Sequence, residues 1–190
     1  MQNTKKGFTL IELLIVIGIL AILVAAVVVV LNPAQLLAQA RDGQRMSDMD
    51  SLRSAINLYL ATAPSATLTA TSTMTQGGST VMNTVLALNS ATDTIDATAF
   101  ASAAVSSSTV VTGAGWIPIA FTQITGGSPL ARLPIDPVNS GNYFYAYTAN
   151  STSTYKLITV LESTKYAVNM ANDGGNSNNI YEIGSNVSGL

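Results

Sequence analysis

The sequence contains no cysteine and no histidine, and only 9% of its 190 residues are charged. Without cysteine no disulfide can form, so core packing has to hold any folded domain together. The absence of both residue types also excludes catalytic sites that depend on imidazole or thiolate, and most zinc sites. The sequence has no glycine-rich phosphate loop and no paired carboxylates, so we do not expect an enzyme.

Basic residues are equally scarce, since eight Lys and Arg stand against ten Asp and Glu and give a net charge of −2. They form no stripe, and we therefore predict no nucleic-acid binding. After position 60 the chain is rich in Ser, Thr, Asn, Ala and Gly, a weakly charged composition that suits an exported surface. A chain of this length can hold one domain beside an anchor.

One long apolar run begins near the N-terminus. It extends from Phe8 to Leu31 with a single ionisable side chain, Glu12, and two lysines come just before it. A run of this length can cross a bilayer as a helix, and the lysines keep its start in the cytoplasm. A carboxylate inside such a run costs roughly 3 kcal/mol and therefore predicts a function. The nearest positive partner would be an α-amino group at Phe8, which exists only if the chain is cut after Gly7.

The segment Gly7-Phe8-Thr9-Leu10-Ile11-Glu12 resembles the leader-cleavage site of type IV pilins and of the related pseudopilins of type II secretion. In that family a prepilin peptidase cuts after the glycine, and the new N-terminal phenylalanine is N-methylated. The resemblance therefore implies cleavage between Gly7 and Phe8 and methylation of Phe8. It also implies that Glu12 of one subunit meets the Phe8 ammonium of a neighbour and so sets the register of assembly.

The resemblance further implies partners and a location. The precursor would lie in the inner (cytoplasmic) membrane with its N-terminus in the cytoplasm, and the mature form in an extracellular or periplasmic filament. The subunit would form a homopolymer with the help of an assembly platform and a separate ATPase, because the chain has no nucleotide-binding motif. The alternative is a plain membrane anchor with a tolerated acidic residue.

The chain from Phe8 to about Leu60 predicts one long, interrupted helix. Its second half is amphipathic, with apolar residues at spacings of three and four: Leu36, Leu37, Ala40, Met49, Leu52, Ile56, Tyr59 and Leu60. On the opposite, solvent-facing side we expect Asp42 to pair with Arg45, and Asp50 with Arg53. This half should lay its apolar face on a globular domain.

Three residues are expected to break the helix, namely Gly18, Pro33 and Gly43. Pro33 lacks a backbone donor and clashes with the preceding turn, so we expect a kink or local melting near Val29 to Asn32. This break is either a compliant joint that lets subunits fit a filament or the boundary where the anchor ends.

The rest of the chain divides into a polar stretch and a strand-rich stretch. Residues 62–115 are rich in Ser and Thr, and we interpret them as a variable loop with a short helix at Thr80 to Leu88. Residues 116–190 predict an antiparallel sheet with a C-terminal loop. Aromatic and alternating patterns favour extended structure in five segments: Trp116–Phe121 (an edge strand or an extended packing segment), Tyr143–Tyr147, Tyr155–Leu161, Tyr166–Met170 and Ile180–Ile183.

Together these elements predict an α+β fold, in which a long N-terminal helix packs on an antiparallel sheet of three to four strands. The resemblance implies the same arrangement, the pilin fold, and the order LPxDP, aromatic strand, Leu-Glu strand and Asn-Asp-Gly-Gly resembles the outer domain of major pilins and the major pseudopilin. The predicted divisions are a leader (1–7), a membrane or filament-core helix (8–31), an amphipathic half-helix (32–61), a variable loop (62–115), and a sheet with its C-terminal loop (116–190). Residues 32–190 form one globular domain in this scheme.

The C-terminal loop around residues 172–179 is rich in oxygen ligands. The major pseudopilin binds calcium in a comparable loop, so the resemblance implies a calcium site at Asp173, Asn176, Asn178 and Glu182. Calcium prefers about six to eight oxygens with several carboxylates, whereas only Asp173 and Glu182 bring charge here. The alternative is a turn made by Asn and Gly. No other cofactor is expected.

The function predicted from these features is structural, as the major pilin of a type IV pilus. One alternative is the major pseudopilin of a type II secretion-like pseudopilus, which shares the same motifs. Another is a monomeric membrane-anchored binding protein that uses Trp116 and the tyrosines of Tyr143–Tyr147 as a stacking surface. Aromatic residues at alternating strand positions more often pack a core or a subunit contact.

Overall fold

The computed structural model describes residues 7–75 and 104–187 of the chain. Within these residues there are three α-helices, one short 3₁₀ helix and five β-strands. The chain divides into two compact units, Met1–Leu37 and Ala38–Leu190, which are taken in turn. The short helix predicted at Thr80 to Leu88 lies outside the described residues.

Helix α1, Leu10–Leu31, makes up most of the first unit. Its segment Leu10–Val28 is 19 residues long, is apolar enough to cross a membrane, and is nowhere buried among the residues that the structure describes. A helix that is apolar all round and has no buried face is stable only in lipid or among other apolar helices. This agrees with the membrane or filament-core helix predicted for the N-terminal run.

The break predicted near Pro33 falls on a single residue. Helix α1 is capped by Asn32, whose φ of 40° and ψ of 75° are left-handed. Helix α2, Pro33–Thr62, starts at the proline, a favourable first position because its missing N–H would have no partner there. The Asn32 carbonyl accepts hydrogen bonds from the amides of Gln35 and Leu36 at 3.0 and 3.3 Å.

The breaks predicted at Gly18 and Gly43 are wrong. Gly18 lies inside α1 and Gly43 inside α2, and both helices continue through them. Glycine weakens a helix by about 1 kcal/mol relative to alanine, whereas proline also removes a hydrogen bond and clashes with the preceding turn. A Cβ at either glycine would meet no atom within 4 Å, so close packing does not require glycine there.

The second unit contains α2 and a five-stranded sheet of order β2-β1-β3-β4-β5. The strands are β1 (Thr71–Met74), β2 (Ala104–Val105), β3 (Ala146–Ala149), β4 (Tyr155–Thr159) and β5 (Tyr181–Gly184). Neighbouring strands are antiparallel except for β1 and β2, which are parallel. The predicted α+β class is confirmed. The sheet has more strands than predicted because β1 and β2 lie in the Ser/Thr-rich stretch, where short polar sequences carry little strand signal.

The core contains residues from one face of α2 and one face of the sheet. Its largest cluster includes Met49, Leu52, Ala55, Ile56 and Tyr59 from the helix, Tyr147, Tyr155, Leu157 and Ile183 from the sheet, and Trp116, Ile117, Ile119 and Phe121 from the segment that precedes β3. The predicted apolar face of the helix is therefore buried from Met49 to Tyr59, and Leu60 is half-buried. Leu36, Leu37 and Ala40 are exposed instead.

Of two segments expected to be extended, one matches an alternative of the prediction and the other differs from it. Trp116–Phe121 is a buried packing segment, with one isolated bridge from Thr112 to Ala120, and leads into the 3₁₀ helix Phe121–Gln123. Tyr166–Met170, predicted as a strand, instead forms the N-cap and most of the short helix α3, Ala167–Ala171. A short apolar run fits either a strand or one turn of helix, so periodicity alone misassigned it.

Candidate processing and assembly site

The residues just before α1 form the predicted cleavage site. Gly7, Phe8 and Thr9 are not helical, and Gly7 is exposed. The Phe8 side chain is 91% exposed. Exposed, non-helical backbone is what proteases cut most readily. A peptidase could therefore reach the Gly7–Phe8 peptide bond without unwinding α1.

Thr9 and Glu12 form a capping box at the start of α1. The Glu12 amide donates a hydrogen bond to Thr9 Oγ1 at 3.2 Å, and the Thr9 amide and hydroxyl both donate to Glu12 Oε2 at 3.0 Å. The carboxylate also lies at the positive end of the helix dipole. These interactions lower the cost of a carboxylate at the edge of an apolar helix. The spacing Thr-x-x-Glu before an apolar run is the sequence signature of this motif, so Thr9 was predictable as a partner of Glu12.

The amide and the hydroxyl of Thr9 both donate to Oε2 of Glu12, so Oε1 of the same carboxylate is left for another donor. Among the described residues, Oε1 of Glu12 has no hydrogen-bond partner, and the side chain is exposed. Hydrogen bonds do not cancel the charge of a carboxylate, so a cation near Oε1 would still be attracted. An ammonium group brings both the charge and several N–H donors.

A model of the prokaryotic N-terminal methylation motif matches residues 2–28, which include Gly7, Phe8, Thr9 and Glu12. The chain carries the signature of the type IV pilin and pseudopilin family. The motif implies processing by prepilin peptidase and a membrane-anchored precursor, and it points to a structural subunit rather than an enzyme. Comparison with curated proteins found no match, and neither did comparison with solved structures.

The loop predicted to bind calcium is held by its own hydrogen bonds. The Asp173 carboxylate accepts the amides of Gly175 and Glu182 at 2.8 and 2.7 Å, and burial raises its pKa. Asn178 is exposed. Within residues 7–75 and 104–187 there is no group of three or more acidic, His or Cys side chains that could hold a metal ion.

Lys156 of β4 supplies the positive charge of this loop. Its side chain is fully buried, and Nζ lies 2.9 Å from Glu182 Oε1 and 3.3 Å from Asn176 Oδ1. The other Glu182 oxygen accepts the Ser177 amide at 2.9 Å. Burial raises the pKa of Glu182, and the nearby Lys156 ammonium partly offsets that rise. Two of the four predicted calcium ligands therefore bind a lysine, and the structure gives the calcium prediction no support.

A second buried ionic cluster surrounds Arg45 of α2. Arg45 is fully buried, with Nε 2.6 Å from Asp136 Oδ2 and NH1 2.9 Å from Asp42 Oδ1. It also forms an ion pair with Glu162. Asp42 in turn accepts the amides of Glu162 and Ser163 at 2.9 and 2.7 Å. The cluster joins the helix to two later segments of the same unit.

The prediction for these ion pairs was right about the partners and wrong about one location. Asp42 and Arg45 do pair, but both side chains are 0% exposed, and not solvent-facing as expected. Asp50 and Arg53 pair at 2.8 Å with side chains 54% and 47% exposed, as expected. Spacing along a helix shows which charges can meet, but not whether another segment covers them.

Most of the aromatic residues proposed as a stacking surface are inside the unit, and Tyr143 is half-buried. Trp116, Tyr145 and Tyr147 are fully buried. Trp116 Nε1 donates to the Pro134 carbonyl at 2.9 Å, and the Tyr145 hydroxyl donates to Asp48 at 2.8 Å. These contacts favour a packing role for Trp116, Tyr145 and Tyr147 over the stacking surface of the binding-protein alternative.

Proposed function

We propose that this chain is a structural subunit, the major pilin, of a type IV pilus. Its precursor is held in the inner membrane with the N-terminus in the cytoplasm, cut after Gly7 and N-methylated at Phe8. The mature subunit then polymerises through α1 into an extracellular filament. The observation that carries the proposal is an apolar α1 with no buried face, at whose start the Glu12 carboxylate has one oxygen available for a cation.

Polymerisation would move α1 from lipid into a bundle of like helices. Lipid and bundle are similarly apolar, so packing and charge pairing, rather than the exclusion of water, have to determine specificity. A neighbour's Phe8 ammonium placed at Glu12 Oε1 pairs both charges. Any other register leaves a carboxylate and an ammonium unpaired in apolar surroundings, which is strongly unfavourable.

The capping box supports this sequence of events. Before cleavage the nitrogen of Phe8 is an uncharged amide, and the Thr9 hydrogen bonds hold Glu12 at the end of its own helix. Cleavage creates the ammonium, and N-methylation leaves its charge in place. Because both Thr9 donors use Oε2, the intermolecular pair can form at Oε1 without loss of the cap.

The proposal requires other proteins to process the subunit, receive it and supply the energy for assembly. Prepilin peptidase makes the cut and the methylation, an assembly platform receives the subunit, and a separate ATPase supplies the energy. A pseudopilus subunit would share the N-terminal features. Lys156 contacts two of the residues expected to bind calcium; a calcium-binding loop would favour secretion, and abundant sheared filaments would favour the pilus.

The test is Glu12→Ala expressed as the only subunit, with Leu14→Ala on the same helix as the matched control. We expect Glu12→Ala to be cleaved and to stay in the membrane, with few filaments in sheared material viewed by electron microscopy. Leu14→Ala should assemble. Normal filaments from Glu12→Ala would contradict the charge-pairing argument.

A second variant tests the cut itself. Gly7→Leu should keep its leader, and intact mass or N-terminal sequencing would then find Met1 on the recovered protein. Processing like that of the natural sequence would exclude Gly7 as the residue that determines the cut.

A further inference from the structure

Lys156 and Glu182, both buried, form with the half-buried Asn176 a triad that the assembly function does not use. Register in the sheet places Lys156 opposite Gly184 and Glu182 opposite Ile158. Lys156 and Glu182 are therefore diagonal neighbours on one face of β4 and β5, the opposite face from Leu157 and the main core. Since Gly184 has no side chain, nothing on β5 separates the lysine from the carboxylate.

The C-terminal loop brings Asn176 to the same point. Lys156 Nζ lies 3.3 Å from the carboxamide oxygen of Asn176 and 2.9 Å from Glu182 Oε1. Lys156 and Glu182 are 0% exposed, and Ser177 beside them is 2% exposed. The amine and the carboxylate are thus held together where bulk water is excluded, and the half-buried carboxamide meets them there.

We propose that Lys156 and Asn176 condense into an intramolecular isopeptide bond, with Glu182 as the acid–base catalyst. Glu182 takes one proton from the Lys156 ammonium, and the neutral amine attacks Cγ of Asn176. The C–N bond to Nδ2 then breaks, and the departing nitrogen takes both the proton held by Glu182 and the remaining extra proton of the attacking nitrogen. An amide bond between Lys156 and Asn176 forms, the leaving group departs as an ammonium ion, the Glu182 carboxylate is regenerated, and no oxidant or reductant is consumed.

The surroundings of Glu182 suit this acid–base role. Its Oε2 is held by the Ser177 amide, which leaves Oε1 directed at Lys156. A Cβ at Gly175 would collide with the carboxylate, so glycine is what allows the loop to close over it. Burial raises the pKa of Glu182, which helps it to hold the proton between the two steps. Fixed reacting groups convert a slow bimolecular reaction into a fast intramolecular one.

The bond would give this exported chain a covalent link that it otherwise lacks. With no cysteine in the sequence, no disulfide can tie the C-terminal loop to the sheet. A bond from β4 to the loop that precedes β5 closes a ring around residues 156–176 and restricts the unfolded chain, as any cross-link does. This inference does not depend on polymerisation and can be tested on unassembled protein.

The experiment is mass spectrometry of the full chain purified in detergent. We expect the intact mass to fall below the sequence mass, after allowance for leader removal and methylation, by the mass of one ammonia. Fragmentation should identify a branched peptide that joins Lys156 to Asn176. Linear peptides that cover both residues at full mass would overturn the proposal and leave an ion pair.

Variants separate the bond from other losses of ammonia. Lys156→Arg and Asn176→Ala should restore the full mass, whereas Asn178→Ala, in the same loop, should keep the loss. A succinimide at an asparagine also loses ammonia, but it would persist in Lys156→Arg and yield no branched peptide. Persistence of that kind would overturn the isopeptide bond.

Glu182→Gln tests the catalyst while it leaves both reacting groups in place. We expect this variant to keep the full mass, and the fluorescence of the buried Trp116 would show that the unit is folded. Formation of the bond at an unchanged rate in folded Glu182→Gln would exclude the catalytic role of Glu182.

Discussion

The Arg45 guanidinium lies 2.6 Å from the Asp136 carboxylate, 91 residues further along the chain, and both side chains are 0% exposed. Oδ1 of Asp136 also accepts the amides of Val138 and Asn139 at 2.8 and 3.0 Å. One carboxylate therefore closes the proline-rich turn and holds α2 at the same time. Buried charges of this kind are costly to leave unpaired, which makes the contact a sensitive test of the fold.

We expect Arg45→Met to lower the free energy of unfolding of the second unit by about 3–5 kcal/mol, because it leaves buried carboxylates without their partner. The measurement is urea denaturation of the full chain in detergent, followed by the fluorescence of Trp116, the sole tryptophan. Arg53→Met is the matched control, since that arginine belongs to an exposed pair, and it should change stability by less than about 1 kcal/mol. Similar losses from both variants would contradict the buried cluster.

The stability of the unit should depend on pH through Glu162. The hydrogen bond from Arg41 holds the pKa of Glu162 below its ordinary value of 4.5. The unfolded chain then binds more protons than the folded one, so this stabilisation is present above pH 4.5 and is lost as the pH falls toward the folded pKa. Glu182, whose pKa is raised, has the opposite effect, since its contribution falls as the pH rises above 4.5.

Glu162→Gln isolates the contribution of Glu162. Denaturation at a series of pH values should show that the difference in stability between the natural chain and this variant is largest near neutral pH and shrinks below pH 4.5. A difference that stays constant with pH would exclude a titrating role for this carboxylate.

Gly43→Ala should stabilise the second unit by about 0.5–1 kcal/mol, because alanine is the better helix former. The position is in the interior of α2, and a Cβ there meets no atom within 4 Å. Gly175→Ala is the contrasting variant, in which the new Cβ collides with Glu182, and it should destabilise. A loss of stability in Gly43→Ala would indicate that the glycine has a conformational role after all.

Calcium should leave the denaturation midpoint of the unit unchanged, whether it is added or removed with a chelator. The reason is that Lys156 Nζ already contacts both Glu182 and Asn176, as an ammonium or as the nitrogen of the proposed amide, whereas calcium prefers about six to eight oxygens with several carboxylates. A ligand that binds only the folded protein raises the stability of the folded state. A midpoint that rises with calcium concentration would therefore support the metal site predicted from the sequence.

The position of the processing segment could be predicted from the sequence, but the burial of the charged side chains of α2 could not. Hydropathy and the single carboxylate locate α1 and Glu12, because both are local properties of one run. The pairing of Asp42 with Arg45 is equally local, yet their burial depends on Asp136 and Glu162, about 100 residues away. The pattern of residues within α2 therefore does not show that these later segments bury Asp42 and Arg45.

Lys156 illustrates the same limit within a strand. Side chains alternate along a strand, so Lys156 lies on the opposite face of the sheet from Tyr155 and Leu157. That pattern by itself predicts a lysine exposed to solvent. Its burial comes from the loop that carries Asn176, and that loop reads as a polar turn. The turn of α3 and the strands β1 and β2 were missed for a related reason, since short segments are specified by their neighbours more than by their own pattern.

The left-handed Asn32 gives α1 and α2 separate hydrogen-bond ladders. Pro33 donates no backbone bond, and the amides of Gln35 and Leu36 both turn to the Asn32 carbonyl. Helix cooperativity spreads through an unbroken ladder, so fraying that starts on one side of Asn32 has no direct route to the other. If the chain were pulled, we expect the backbone to extend first at Asn32, while the ion pairs of α2 stay intact.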